Sequence, residues 1–197
     1  MTTNTSLLDS IAFLVAAFAI FGFSDAILLH IWKFQLYKWK DTAKEHKIHT
    51  IRAVLFPFLI LGILIFQFKG ILFVGFLSIV FIDLLVQIWD MWIEREARTR
   101  FQGLSSLEYT IHGILIGIHS SFLALYLVYN FQMDHFHESS QSFHFLNHSF
   151  SSMIAWNLLP GAVLIGILHC ILIHPYFQKD HKWENYFKFS ISFPGLN

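Results

Sequence analysis

The stretch ILFVGFLSIVFIDLLVQIWDMWI, residues 71–93, decides the fold. Its only charged residues are Asp83 and Asp90. A helix crosses the hydrocarbon core of a bilayer with ~20 predominantly apolar residues. This stretch is therefore predicted to be a membrane-spanning helix that carries two carboxylates into lipid.

Four further runs of the same kind lie at 7–32, 51–68, 107–129 and 153–174. The predicted fold is an all-α integral membrane protein, one domain over 1–197, built as a bundle of about five transmembrane helices. Lys69-Gly70 reads as a tight hairpin between spans two and three. Pro57 and Pro160-Gly161 fall inside apolar runs and predict kinks. Ser105-Ser106-Leu107-Glu108 is a capping-box pattern ahead of span four. Residues 130–152, rich in Ser, His and Phe, read as a flexible loop. The start, Met1 to Ser10, has no basic region ahead of its apolar run, which predicts a retained first span over a cleaved leader.

Composition supports this reading. The chain is 55% hydrophobic and 13% charged, with 23 Phe among 197 residues. A soluble domain could not hide that much apolar surface, whereas lipid removes the need. The zero formal net charge gives no sign of a nucleic-acid partner. The single Cys170 excludes an internal disulfide and a Cys-rich zinc or iron–sulfur site.

Basic residues set the expected orientation. Lys33, Lys38, Lys40, Lys44, Lys47 and Arg52 lie between or beside spans one and two. Arg95, Arg98 and Arg100 follow span three, and Lys179, Lys182 and Lys188 follow span five. Only Lys69 falls on the opposite side. The positive-inside rule makes the crowded side cytoplasmic, in a plasma or bacterial-type inner membrane, with the N-terminus outside and 175–197 as a cytoplasmic tail. Trp32, Trp39, Trp89, Trp92 and Trp183 gather near that side as an interfacial belt.

Folding the chain at the five spans brings ionisable residues from every helix to the same face. His46, His49, Asp90, Glu94, Glu108, His112 and His169 form the predicted metal-ligand set. Asp25, His30, Asp83, His119 and His174 form a second group of polar residues, expected to be buried. Asp83, Asp90 and Glu94 are spaced by seven and four, and Glu108, His112 and His119 by four and seven, so each set shares a helix face. Asp83 lies about eleven residues inside its span, ~16 Å deep at 1.5 Å per residue. Charges at such depth face a bundle interior and default to a functional role.

Carboxylates and imidazoles facing inward from a helix bundle suit one or two divalent metal ions, iron or zinc above all, and the absence of thiolates argues against copper(I). The expectation is a membrane metalloprotein, an oxidoreductase or hydrolase, acting on a lipid or other apolar substrate that arrives laterally. A b-type haem held by two of the His, such as His112 and His169, is the alternative cofactor. A proton or metal-ion transporter using Asp83 and His119, and an accessory subunit without chemistry, are the alternative functions. A homo-oligomer is compatible with all of them.

Several residues also have blander roles. Glu108 suits a helix cap. Glu94, Arg95, Glu96 and Arg98 suit a solvated charged turn. His46 and His49 suit a headgroup loop, and His174 a helix end. The loop residues Asp134, His135, His137, Glu138, His144 and His148 form a further His-rich cluster.

Overall fold

The computed structural model describes residues 2–133, 135 and 142–179; side chains are described from Thr5 onward. Lys182, Trp183 and Lys188 of the tail, His181, and Asp134, His137 and Glu138 of the loop lie outside the described residues.

Among the described residues, five helices are long and apolar enough to cross a membrane. The first, α1, covers Thr2–Phe23 and continues as a π-helix over Ser24–Lys33. The second, α2, covers Ala43–Ile60 and ends in a π-turn over Leu61–Ile65. A short strand β1, Phe66–Phe68, leads to α3, Ile71–Ala97. Next come α4, Ser106–Gln132, the strand β2, Phe143–Phe145, and α5, Ser149–Leu172. Helix α1 packs on α4 and α5, and α2 packs on α3 and α5. The α3 and α4 backbones stand farther apart than these neighbours, and polar side chains bridge them.

The apolar core fills one end of the bundle. Ile11 and Val15 of α1, Leu64 of α2, Phe73 of α3, Phe122 of α4 and Ala155 of α5 are essentially inaccessible there. The fit is tight. A methyl group on Gly62 would stand 2.0 Å from the Phe76 ring, so only a glycine suits that contact. The Tyr126 hydroxyl donates to the Gly62 carbonyl at 3.2 Å.

Two boundaries differ from expectation, both of span two. Helix α2 begins at Ala43, eight residues before the predicted span, because Glu45, His46, Ile48, His49 and Thr50 are buried against neighbours. His46 and His49 are thus helical and enclosed, not headgroup-loop residues. The apolar run of span two does not stay helical to Phe68. Residues 66–68 pair antiparallel with 143–145, in the register Phe66 to Phe145. Helix α5 passes through Pro160 without a break.

The described part of the 130–152 loop is also more ordered than expected. His135 is 2% exposed and shares hydrogen bonds with Asn130 Oδ1 at 2.8 Å and Gln67 Nε2 at 3.1 Å. His148 caps α5 by accepting from the Ser151 amide. Both are structural uses of imidazole, and His144 is an exposed strand residue. Gly70, at φ +57°, makes the turn into α3 that other residues rarely adopt.

Candidate metal centre

The opposite end of the bundle is polar. Three basic segments meet there on one indole. The Arg100 guanidinium lies 4.2 Å from the Trp39 ring and the Lys179 ammonium 4.5 Å from it. Beneath this end, every helix contributes a buried ionisable side chain.

The π-helical turn of α1 makes the first part of the site. Asp25 and His30 are five residues apart, a spacing that separates side chains around an α-helix. A π-helix closes its hydrogen bonds five residues apart, so side chains at that spacing align. Asp25 Oδ1 accordingly lies 3.3 Å from His30 Nε2. The same oxygen meets His112 Nε2 of α4 at 3.1 Å. His112 Nδ1 reaches Glu94 Oε1 of α3 at 3.0 Å. His112 therefore spans two carboxylates, one on α1 and one on α3.

The extended start of α2 makes the second part. The His49 ring stands edge-on to the His30 ring, centroids 4.1 Å apart. His49 Nε2 lies 3.3 Å from Asp90 Oδ2 and 4.0 Å from Glu45 Oε1. Arg98, wholly buried, contacts Glu45 Oε1 and Glu108 Oε1 at 2.9 Å each. Its guanidinium also lies over the Phe34 ring. Arg52 reaches Asp90 Oδ2 at 3.5 Å and Gln87 Oε1 at 3.4 Å.

Two groups of donors lie close enough to surround one ion each: Asp25, His30 and His112, and His30, Glu45 and His49. In each, the donor atoms lie within 4.8 Å of one another. His30 belongs to both. The fit to a metal is tested by what these residues otherwise bond. His30 Nδ1 and Glu45 Oε2, and Asp90 Oδ1 beside them, are buried without a hydrogen bond. Buried polar atoms are ordinarily satisfied, so orphans of this kind, all with lone pairs to offer, suit a cation. The donor set is nitrogen and oxygen only, which suits iron, zinc or manganese.

Each predicted residue has a definite place. His49, Asp90, Glu94 and His112 lie together. Asp25 and His30, expected only in the second group, stand at the centre. His46 and His169 form a neighbouring stacked pair, ring centroids 5.1 Å apart at 16°. Both are buried, and no side chain among the described residues hydrogen-bonds their ring nitrogens. Glu108 does two structural jobs. It completes the capping box with Ser105 and pairs with Arg98. It belongs to neither donor group. Asp83 and His119 pair with each other deeper in the bundle, at 3.2 Å. His174 is exposed and caps the turn Pro175–Phe177, away from the site.

Sequence reasoning missed Glu45, Arg98 and Gln87 as site residues. Arg98 is fully enclosed rather than part of a solvated turn, because two buried carboxylates and two aromatic rings surround it. Glu45 had a readable signal: it precedes His49 by four residues and so shares its helix face.

A cavity of about 390 Å³ adjoins this polar end. Its walls are chiefly apolar side chains of α1, α2 and α5, among them Phe18, Phe56 and Ile165. Asp25, His49, Arg52 and Asp83 supply its ionisable lining. Ile20 and Phe23 also line it and are exposed, so it reaches the apolar flank of the bundle. No family model, curated protein or solved structure matches this chain.

Proposed function

We propose that this protein is a multi-pass membrane metalloenzyme that binds iron or zinc at its polar end and acts on a lipid or similarly apolar substrate. The observation that carries the reading is a shared boundary. Asp25 and His49 belong to the two donor groups and also line the apolar cavity. An ion held by them would face whatever occupies that cavity. The metal would polarise a substrate oxygen or lower the pKa of a bound water, and iron would add redox chemistry.

His30 would be the central ligand, with Asp25 and His112 on one side and Glu45 and His49 on the other. Two ions would share this imidazole only as the imidazolate, its N–H proton released on binding. Asp90 and Glu94 would orient His49 and His112, as carboxylates behind metal-bound His do. Arg98 would balance the charge of Glu45 and Glu108. The cavity would admit an apolar chain from the bilayer and bring its polar group to Asp25 and His49. The excess of Lys and Arg at the polar end supports a cytoplasmic site in a plasma or bacterial-type inner membrane.

Haem b is the weaker reading. Both nitrogens of His112 already face carboxylates. His46 and His169 stack face to face, whereas axial haem ligands point their nitrogens at a common iron.

The test is metal analysis and an optical spectrum of the full chain, purified in detergent without a His-tag or chelator. Stoichiometric iron or zinc without a Soret band is expected. His30→Ala and His49→Ala should each lose most of the bound metal, while His144→Ala, an exposed change, should keep it. A Soret band, or metal-free protein after loading with iron and zinc, would overturn the reading.

A further inference from the structure

A second polar unit lies between α3 and α4, apart from the two donor groups. His119 is 1% and Asp83 4% exposed. His119 Nε2 stands 3.2 Å from Asp83 Oδ2, within ion-pair distance but out of line for a hydrogen bond. His119 Nδ1 and Gln87 Oε1 lie 2.5 Å apart. Phe18 and Phe122 pack against the imidazole.

Gln87 fixes the protons. Its Oε1 also lies 3.4 Å from an Arg52 nitrogen. A guanidinium only donates, so the amide must turn its oxygen toward Arg52. That oxygen also faces His119, which requires His119 Nδ1 to carry a hydrogen. A neutral imidazole then has a bare Nε2. A bare nitrogen 3.2 Å from an ionised carboxylate would crowd two acceptors together in a buried place. One more proton must lie between them, on Nε2 or on Asp83.

We infer that Asp83 and His119 form a proton-holding pair, set by Gln87, with Asp83 as the member that exchanges a proton with a group bound in the apolar cavity. Asp83 lines that cavity together with Asp25 and His49. The proton moves between a carboxyl or imidazolium and the bound group, and no electrons change hands. Arg52 is the charged group that faces both Gln87 and the cavity. It acts by orienting Gln87, not by relaying.

The use of the pair in catalysis rests on the metalloenzyme reading, but its proton count does not. The test is NMR of the full chain in detergent with 15N-labelled histidine, His119 being assigned by its loss in His119→Gln. The expected result is a protonated Nδ1. The additional proton appears either on Nε2 or as a protonated-carboxyl C=O band in the infrared that Asp83→Asn removes. Gln87→Met should release the lock and shift His119 toward the neutral form protonated at Nε2. A neutral His119 with bare Nδ1 in the unmodified chain, or a Gln87→Met spectrum identical to it, would overturn the proposal. Metal-free protein with Nδ1 protonated would sink the metal reading and keep this one. Metal-loaded protein with bare Nδ1 would do the reverse.

Discussion

The two ends of the bundle are held by different physics. At one end Ile11, Leu64, Phe73 and Phe122 interlock with almost no exposed surface. At the other, Arg98, Glu45, Glu108 and Asp25 are as deeply or nearly as deeply enclosed, but by ion pairs, one of them to the half-buried His112. Apolar contact between helices is non-directional, and in lipid it gains little from excluding water. Ion pairs are directional and fail if one partner is lost. The apolar end therefore fixes how closely the helices approach, and the polar end fixes which faces they turn inward. A donor cluster that draws on α1, α2, α3 and α4 is better built at the second end.

Removing single residues should separate the two modes. Arg98→Met leaves the buried Glu45 and Glu108 without their shared cation. It should cost about 3–5 kcal/mol, the usual penalty for breaking a buried charge pair, read as a lower melting temperature in detergent. It should also disturb metal binding, because Glu45 is freed to move. Gly62→Ala drives a methyl group into the Phe76 ring at the apolar end. Overpacking of this kind costs about 1–3 kcal/mol, and metal content per folded chain should be unchanged. If Gly62→Ala emptied the site, the two ends would be one cooperative unit and the contrast would fail.

A surface pair gives the smallest effect. Asp41 accepts from Arg100 at 2.8 Å, and that hydrogen bond holds its carboxyl below the ordinary value of 3.8. A depressed carboxyl contributes stability that is present above its ordinary range and is lost as pH falls through the lowered value. The pair is solvent-screened, with Asp41 44% and Arg100 39% exposed at the side chain. Asp41→Asn should therefore cost about 0–1 kcal/mol at neutral pH, and the difference from the unmodified chain should vanish in acid. Unfolding curves at neutral and acidic pH would check it.

Much of this arrangement is readable from the chain, and the exceptions have physical reasons. Span length and apolarity are local properties, so five helices follow from composition along the sequence. The start of α2 is different. AKEHKIHT, residues 43–50, is too polar to resemble a span, and it becomes helical and buried through partners on other helices. Asp90, Glu94 and His112 stand out because helical spacing aligns them. Asp25 and His30 do not, since their five-residue spacing aligns only on a π-helix. Arg98 resembles surface charge until Glu45 and Glu108 are seen on both sides of it. His174 shows the opposite error: an imidazole near the right membrane face that turns outward to cap a turn.

The π-helical end of α1 bears on how such a chain is made. Spans are synthesised in order from the N-terminus, and a lone carboxylate in lipid is expensive. Asp83 has its imidazole partner on the following helix, so it must wait for His119 to be translated. Asp25 would have to wait longer for His112, through two intervening spans. The wide turn gives it His30 on its own helix in the meantime. The first span leaves the ribosome already carrying a partner for its own charge, and the later helices find that charge oriented when they arrive.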